Sequence, residues 1–210
     1  MDLGNEPLSL QGNKCEVFLS LSRREDTRNS LPICLCSSLR KAGISVLKDD
    51  ISIEDCKISI VIFSKYYARS KRCLQELTKI MSFHKSHDQM VLPIFYVVNP
   101  CEVQNQIYGF GKAFLRLINK ISPTEDEVSR WRRALNEAAG MNGFHVLDFE
   151  PSNESEVIQN IVGHVRDIFD EKYPIFATEG RVAIHSQVEK VIRMLQKPKS
   201  KDVVSIGIWG

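Results

Sequence analysis

The chain of 210 residues lacks a strong charge of either sign: 28 lysines and arginines face 26 aspartates and glutamates, a formal net charge of +2. That balance argues against an obligate nucleic-acid coat or a polybasic membrane anchor. No apolar run approaches the roughly 20 residues needed to span a bilayer. Residues 1–13 have neither the basic end nor the apolar core of a secretory signal, so a cytoplasmic or nuclear location is expected. The six cysteines, Cys15, Cys34, Cys36, Cys56, Cys73 and Cys101, never fall in CxxC spacing. Reduced thiols are therefore expected rather than a disulfide frame or a zinc site. The phosphate-binding pattern G-x-x-x-x-G-K-[ST] is also missing, so no nucleotide site of that kind is assigned.

What is present is an alternation of strand and helix. With 43% hydrophobic and 26% charged residues the composition is that of a globular protein, and the length suits one main α/β domain with an extension. The organising stretch is residues 58–77, ISIVIFSKYYARSKRCLQEL. Its first six residues form an unbroken apolar run, the signature of a strand covered on both faces in a parallel sheet. Before it, residues 15–21 read as a first strand, 29–42 as a helix facing inward through Leu31, Leu35 and Leu39, and 44–47 as a second strand. Gly43 is the expected helix stop, and Pro32 is tolerable in the first turn. After it come a helix over 74–83, a buried strand over 90–97 and a polar loop. Helices over 110–121 and 128–141, an edge strand over 145–147 and an amphipathic helix over 154–169 through Val157, Ile161, Val165 and Ile168 complete the pattern. This order specifies a doubly wound α/β sheet of about five parallel strands.

In such sheets ligands sit beyond the carboxyl ends of the strands, which directs attention to the segment after Phe63. Ser64, Lys65, Arg69, Lys71, Arg72 and Glu76 are the candidates. The four cations could hold phosphate groups or form a solvated basic turn. Glu76 is either a site carboxylate or an exposed helix residue. His84 and His87 lie three apart, but no third ligand is near in sequence, so they read as exposed polar residues rather than a metal pair. Asp49 and Asp50 end the second strand, yet no aspartate ends the central one, which disfavours phosphotransfer. Trp131 sits on a helical stripe and reads as core.

Four blocks in order, EVFLSLSRREDTR, SIVIFSKYYARSKRCLQEL, VLPIFYVVNPCEV and RWRRALNEAAGMNGFH, resemble the plant Toll/interleukin receptor (TIR) domain found at the N-terminus of intracellular immune receptors. The resemblance covers most of residues 15–170. The end, GRVAIHSQVEKVIRML with VVSIGIWG, is similar to the connector and first strand of the nucleotide-binding domain that follows in those receptors. It implies a leader over 1–13, expected to be disordered, a TIR domain over 14–171, a linker with a short helix over 172–202, and the first strand of a truncated nucleotide-binding domain over 203–210. The implied fold is flavodoxin-like, and the implied partners are other TIR domains, with neither nucleic acid nor membrane. Some members cleave NAD to nicotinamide and ADP-ribose products with a glutamate that aligns with Glu76. NAD is then a candidate substrate rather than a permanently bound cofactor, with Ser64, Arg23, Arg72 and Lys65 as its candidate binding residues and no metal.

Departures from the family pattern lower the expected activity. Only nine residues, 49–57, lie between Lys48, which follows the second strand, and the start of the third. A parallel crossover with its helix needs at least about ten to twelve, so a missing helix is expected, with apolar surface exposed near the central strand or the second strand detached. Arg24 replaces a glycine of the first loop, Arg72 replaces a tryptophan, and Ile33-Cys34 stands where the family has a Ser-His pair.

Overall fold

The computed structural model describes residues 16–22, 30–47, 53–146 and 151–172. The expected leader, the connector helix and the final strand lie outside these residues. The chain divides into two units, residues 1–165 and 166–210; of the second, only the last turns of a helix are described.

Five strands form one parallel sheet: β1 Val17–Ser20, β2 Val46–Leu47, β3 Ile58–Phe63, β4 Met90–Tyr96 and β5 Phe144–Val146, in the order β2-β1-β3-β4-β5. β3 is central, as its apolar run predicts, and all six of its residues are buried. It pairs with β1 from Val17↔Ile58 and with β4 from Ile58↔Met90. Pro93 sits inside β4 without breaking that second ladder. Its carbonyl approaches Gly143, where a Cβ would stand 2.2 Å from the oxygen. Its missing N–H therefore faces the edge where β5 only begins, at Ile94↔Phe144.

The helices are α1 Ser30–Lys41, α2 Lys71–His87, α3 Pro100–Asn105, α4 Tyr108–Ile121, α5 Glu125–Ala139 and α6 Pro151–Lys172, with a 3-10 turn at Tyr67–Arg69. Leu31, Leu35 and Leu39 of α1 are fully buried, and Gly43 follows at φ 78°, the left-handed conformation that ends a helix. Right-handed crossovers send α1 to one face of the sheet and α2 to the other, because β1 steps outward to β2 while β3 steps the opposite way to β4. On the α2 face, Phe18, Val61 and Phe63 join Leu74, Leu77 and Ile80 of α2, Phe114 of α4, and Trp131 and Leu135 of α5 in one core. Trp131 is thus core, as its stripe predicts.

Several expectations are corrected. The polar loop after β4 contains α3, started by Asn99 capping the Cys101 N–H with Pro100 at the first helical position. On α6 the buried stripe runs through Ile158 and Ile161 to Val165, with Val157 only partly buried, because 3.6-residue periodicity allows either neighbour to lead the face. β2 has not detached: Val46 and Leu47 pair with Val17 and Phe18. The central strand exposes no apolar surface, since Ile53 and Cys56, from the turn at residues 53–55 and the residue after it, enter the core. The apolar exposure falls instead on Leu47, at 38%. Residues 48–52, the rest of that crossover, lie outside the described residues. Cys56 is disulfide-bonded, contrary to the expectation of reduced thiols. Lys57 and Ile58 N–H both reach the Glu16 carbonyl, so this turn lies against the start of β1, a proximity that cysteine spacing does not report. Cys34, Cys36, Cys73 and Cys101 form no disulfide. No described helix is long and apolar enough to cross a membrane.

Candidate active site

The chain leaves β3 at Phe63 through a tight turn in which Ser64 Oγ accepts from the Tyr66 N–H at 3.2 Å. Tyr67 follows, fully buried, its ring edge-on to Phe63 with centroids 5.0 Å apart. Ser70 then caps α2 by accepting from the Cys73 N–H at 3.2 Å. This cap starts the helix three residues earlier than hydrophobic periodicity alone suggests. It also fixes which face carries Glu76.

That face points inward, and Glu76 is 4% exposed. A carboxyl so deeply buried is viable only if both oxygens have partners. Oε1 receives Arg72 Nε at 2.6 Å, one helical turn back, and Oε2 receives Ser20 Oγ from β1 at 2.9 Å. Ser20 Oγ in turn lies 2.9 Å from the Tyr67 hydroxyl, whose single hydrogen also has the Cys73 carbonyl within reach at 3.1 Å. Burial keeps the Tyr67 phenol protonated well above its ordinary range, with the charges of Cys73 and Glu76 acting the same way and the Ser20 hydrogen bond opposing them. A second contact ties the elements together: the Cys73 thiol donates to the Leu21 carbonyl at 3.4 Å.

The candidate residues divide by what they touch. Arg72 joins Glu76 directly. Ser64 is buried and engaged in the turn. Lys65 is exposed, its ammonium 4.9 Å over the Tyr66 ring, and Arg69 lies 5.1 Å over the same ring. Lys71 faces Glu127 of α5 at 3.6 Å. The basic turn is thus divided among an aromatic ring and two carboxylates. Arg23, in the loop after β1, lies outside the described residues. His84 Nδ1 sits 2.7 Å from the Gln89 carbonyl, a local link closing α2 onto β4. Sequence reasoning missed Ser20 and Tyr67. The only available signal was their position at the carboxyl ends of adjacent apolar segments.

Glu76 also borders a cleft of about 500 Å³ between α2 and α5, whose lining includes Arg72, Lys79, Glu127, Arg130 and Trp131. One carboxylate beside a guanidinium at the edge of a cleft can stabilise a developing positive charge or accept a proton.

A parallel sheet in this order, with helices on both faces, defines a flavodoxin-like α/β domain. The chain belongs to the TIR domain family, whose family model matches residues 14–206. Among curated relatives, it is 36% identical to disease resistance protein RPV1 of Vitis rotundifolia, over 93% of this chain and 14% of that protein. It is 34% identical to TMV resistance protein N of Nicotiana glutinosa, over 93% of this chain and 18% of that protein. It therefore spans less than a fifth of these relatives. Among solved structures, the TIR domains of the activated Roq1 resistosome, which directly recognises the pathogen effector XopQ, are similar at TM-score 0.64 and 32% identity. That likeness covers 72% of this chain and 99% of that one.

Proposed function

We propose that this chain is a TIR signalling module of plant innate immunity, acting in the cytoplasm or nucleus by association with other TIR domains. The observation that carries the reading is the 36% identity to a disease resistance protein across 93% of the chain. Likeness to the TIR domains of an activated assembly supports association as the mode of action. Ile33 adds a local reason. It is an aliphatic side chain 55% exposed on α1, at the position where the family has part of its association pair. Light scattering of the purified chain across a concentration series tests this: the mean mass is expected to rise with concentration, and Ile33→Glu to suppress the rise. A mass that stays monomeric throughout, alone and with a second plant TIR domain, sinks the reading.

A second reading has its own support in Glu76, buried and held on both oxygens beside a cleft. Under it the chain cleaves NAD, and nicotinamide and ADP-ribose-type products are the signal. Nicotinamide leaves as a neutral molecule from a cationic nitrogen, so no general acid is needed, unlike glycosidases with paired carboxylates. Glu76 offsets the oxocarbenium charge, while Ser64, Lys65, Arg23 and Arg72 are the groups to hold the rest of the dinucleotide. Nicotinamide release from NAD is the measurement, with Glu76→Ala expected to abolish it. No release from the chain, free or in a forced oligomer, leaves association as the sole function.

A further inference from the structure

The contacts behind Glu76 contain more oxygen pairs than hydrogens. Glu76 Oε2, Ser20 Oγ, the Tyr67 hydroxyl and the Cys73 carbonyl form a line with three gaps of 2.9, 2.9 and 3.1 Å. Ser20 and Tyr67 each supply one hydrogen, and the carbonyl supplies none. With Glu76 ionised, Tyr67 donates to Ser20 and Ser20 to Oε2, so both hydroxyls point at the negative charge. The Cys73 carbonyl, in the first turn of α2, is then left to its other partners. With a proton on Oε2 every arrow reverses: Glu76 donates to Ser20, Ser20 to Tyr67, and Tyr67 to the Cys73 carbonyl, filling all three gaps. Arg72 Nε can donate to Oε1 in both states. Only two O–H bonds rotate between them, and no heavy atom moves.

We propose that Ser20 and Tyr67 are positioning residues that form a reversible hydrogen-bond chain, letting Glu76 take up and return one proton on Oε2 while Oε1 keeps the bond from Arg72. The inference rests on the reading of Glu76 as the NAD-cleaving carboxylate. There the attacking water forms the new C–O bond as the C–N bond to nicotinamide breaks, and its proton passes to Glu76 and then to solvent. The raised titration of Tyr67 supports the assignment, since the phenol remains a donor wherever a carboxyl titrates. Among the described residues, the Cys73 thiol of α2 lies near Tyr67, and the charged groups around the cleft that Glu76 borders are Arg72 and Lys79 of α2 and Glu127 and Arg130 of α5. Their charges set the midpoint of the titration but do not change with the direction of the chain.

The chain predicts opposite effects for its two members. Ser20→Ala removes a bond donated to the carboxylate, stronger than the one accepted from the acid, so the Glu76 midpoint rises. Tyr67→Phe leaves Ser20 without an acceptor for its hydrogen only when Glu76 is protonated, so the midpoint falls. Each shift is expected to be about half a pH unit or more. The experiment is a carbon-13 NMR titration of glutamate-labelled full chain, with the Glu76 signal identified by its loss in Glu76→Gln. Ser20→Thr, which keeps the hydroxyl, is expected to restore the midpoint and stands in if Ser20→Ala does not fold. Shifts in the same direction, or unchanged midpoints in folded variants, overturn the proposal. Nicotinamide release measured in parallel separates the two ideas: opposite shifts without turnover end the enzymatic reading, and turnover without opposite shifts ends the relay.

Discussion

Arg72 Nε lies 2.6 Å from Glu76 Oε1 on the same face of α2, joining a side chain 40% exposed to one 4% exposed. This carboxylate is therefore held by a charge on its own helix. Fully exposed pairs contribute under about 1 kcal/mol, whereas breaking a buried one costs about 3–5 kcal/mol. With one partner in solvent, Arg72→Ala is expected to cost about 1–2 kcal/mol. Chemical denaturation in low and high salt checks this, and a loss that vanishes in high salt would place the pair with ordinary surface contacts.

Tyr67 links stability to alkaline pH. Burial above all pushes its folded-state titration well above the ordinary 10.0. In the unfolded chain it loses its proton near the ordinary value, so between the two values the unfolded state binds fewer protons. The contribution is fully present below about pH 10 and is lost above it, by up to ~1.4 kcal/mol per pH unit. Tyr67→Phe, less stable at neutral pH by about 1 kcal/mol, is expected to decline more shallowly, so its curve converges on the parent's above pH 10. Parallel curves from urea unfolding at pH 8 to 11 would contradict the assignment.

Val97, just past β4, has φ 52° while its N–H donates to the Val146 carbonyl at 2.8 Å. A β-branched residue in the left-handed region is strained, and the β4–β5 link holds it there. Val97→Asn keeps the N–H and suits the conformation. An increase of about 1 kcal/mol in unfolding free energy is expected, read from calorimetric melting, and a decrease would mean that the valine side chain is packed to advantage.

Ser59 and Ser20 are both fully buried serines on neighbouring strands, but Ser59 Oγ has no hydrogen-bond partner. Ser59→Ala is therefore expected to be neutral or stabilising by up to about 1 kcal/mol, whereas Ser20→Ala should destabilise by about 1–3 kcal/mol. Thermal melts of the two variants measured side by side give the contrast, and equal losses would refute it.

The sequence by itself determined the α/β alternation, the central place of β3 and the inward stripe of α1. Each follows from local periodicity: an unbroken apolar run can be satisfied only between two covered faces, and leucines spaced by four only against a core. Glu76 was legible as a candidate because helices after central strands border the ligand side of such sheets. Legibility stopped where partners are distant in the chain. Ser20 is separated from Glu76 by 56 positions and from Tyr67 by 47, and no residue pattern announces that two hydroxyls and a carboxyl will meet. α3 was hidden because one and a half turns have no periodicity to detect, and Cys56 because a disulfide depends on which strands become neighbours. Local hydrophobic order chose the elements; tertiary packing chose which polar atoms they would bury together, and so decided that Glu76 is an enclosed, doubly held carboxyl rather than a charge on a helix surface.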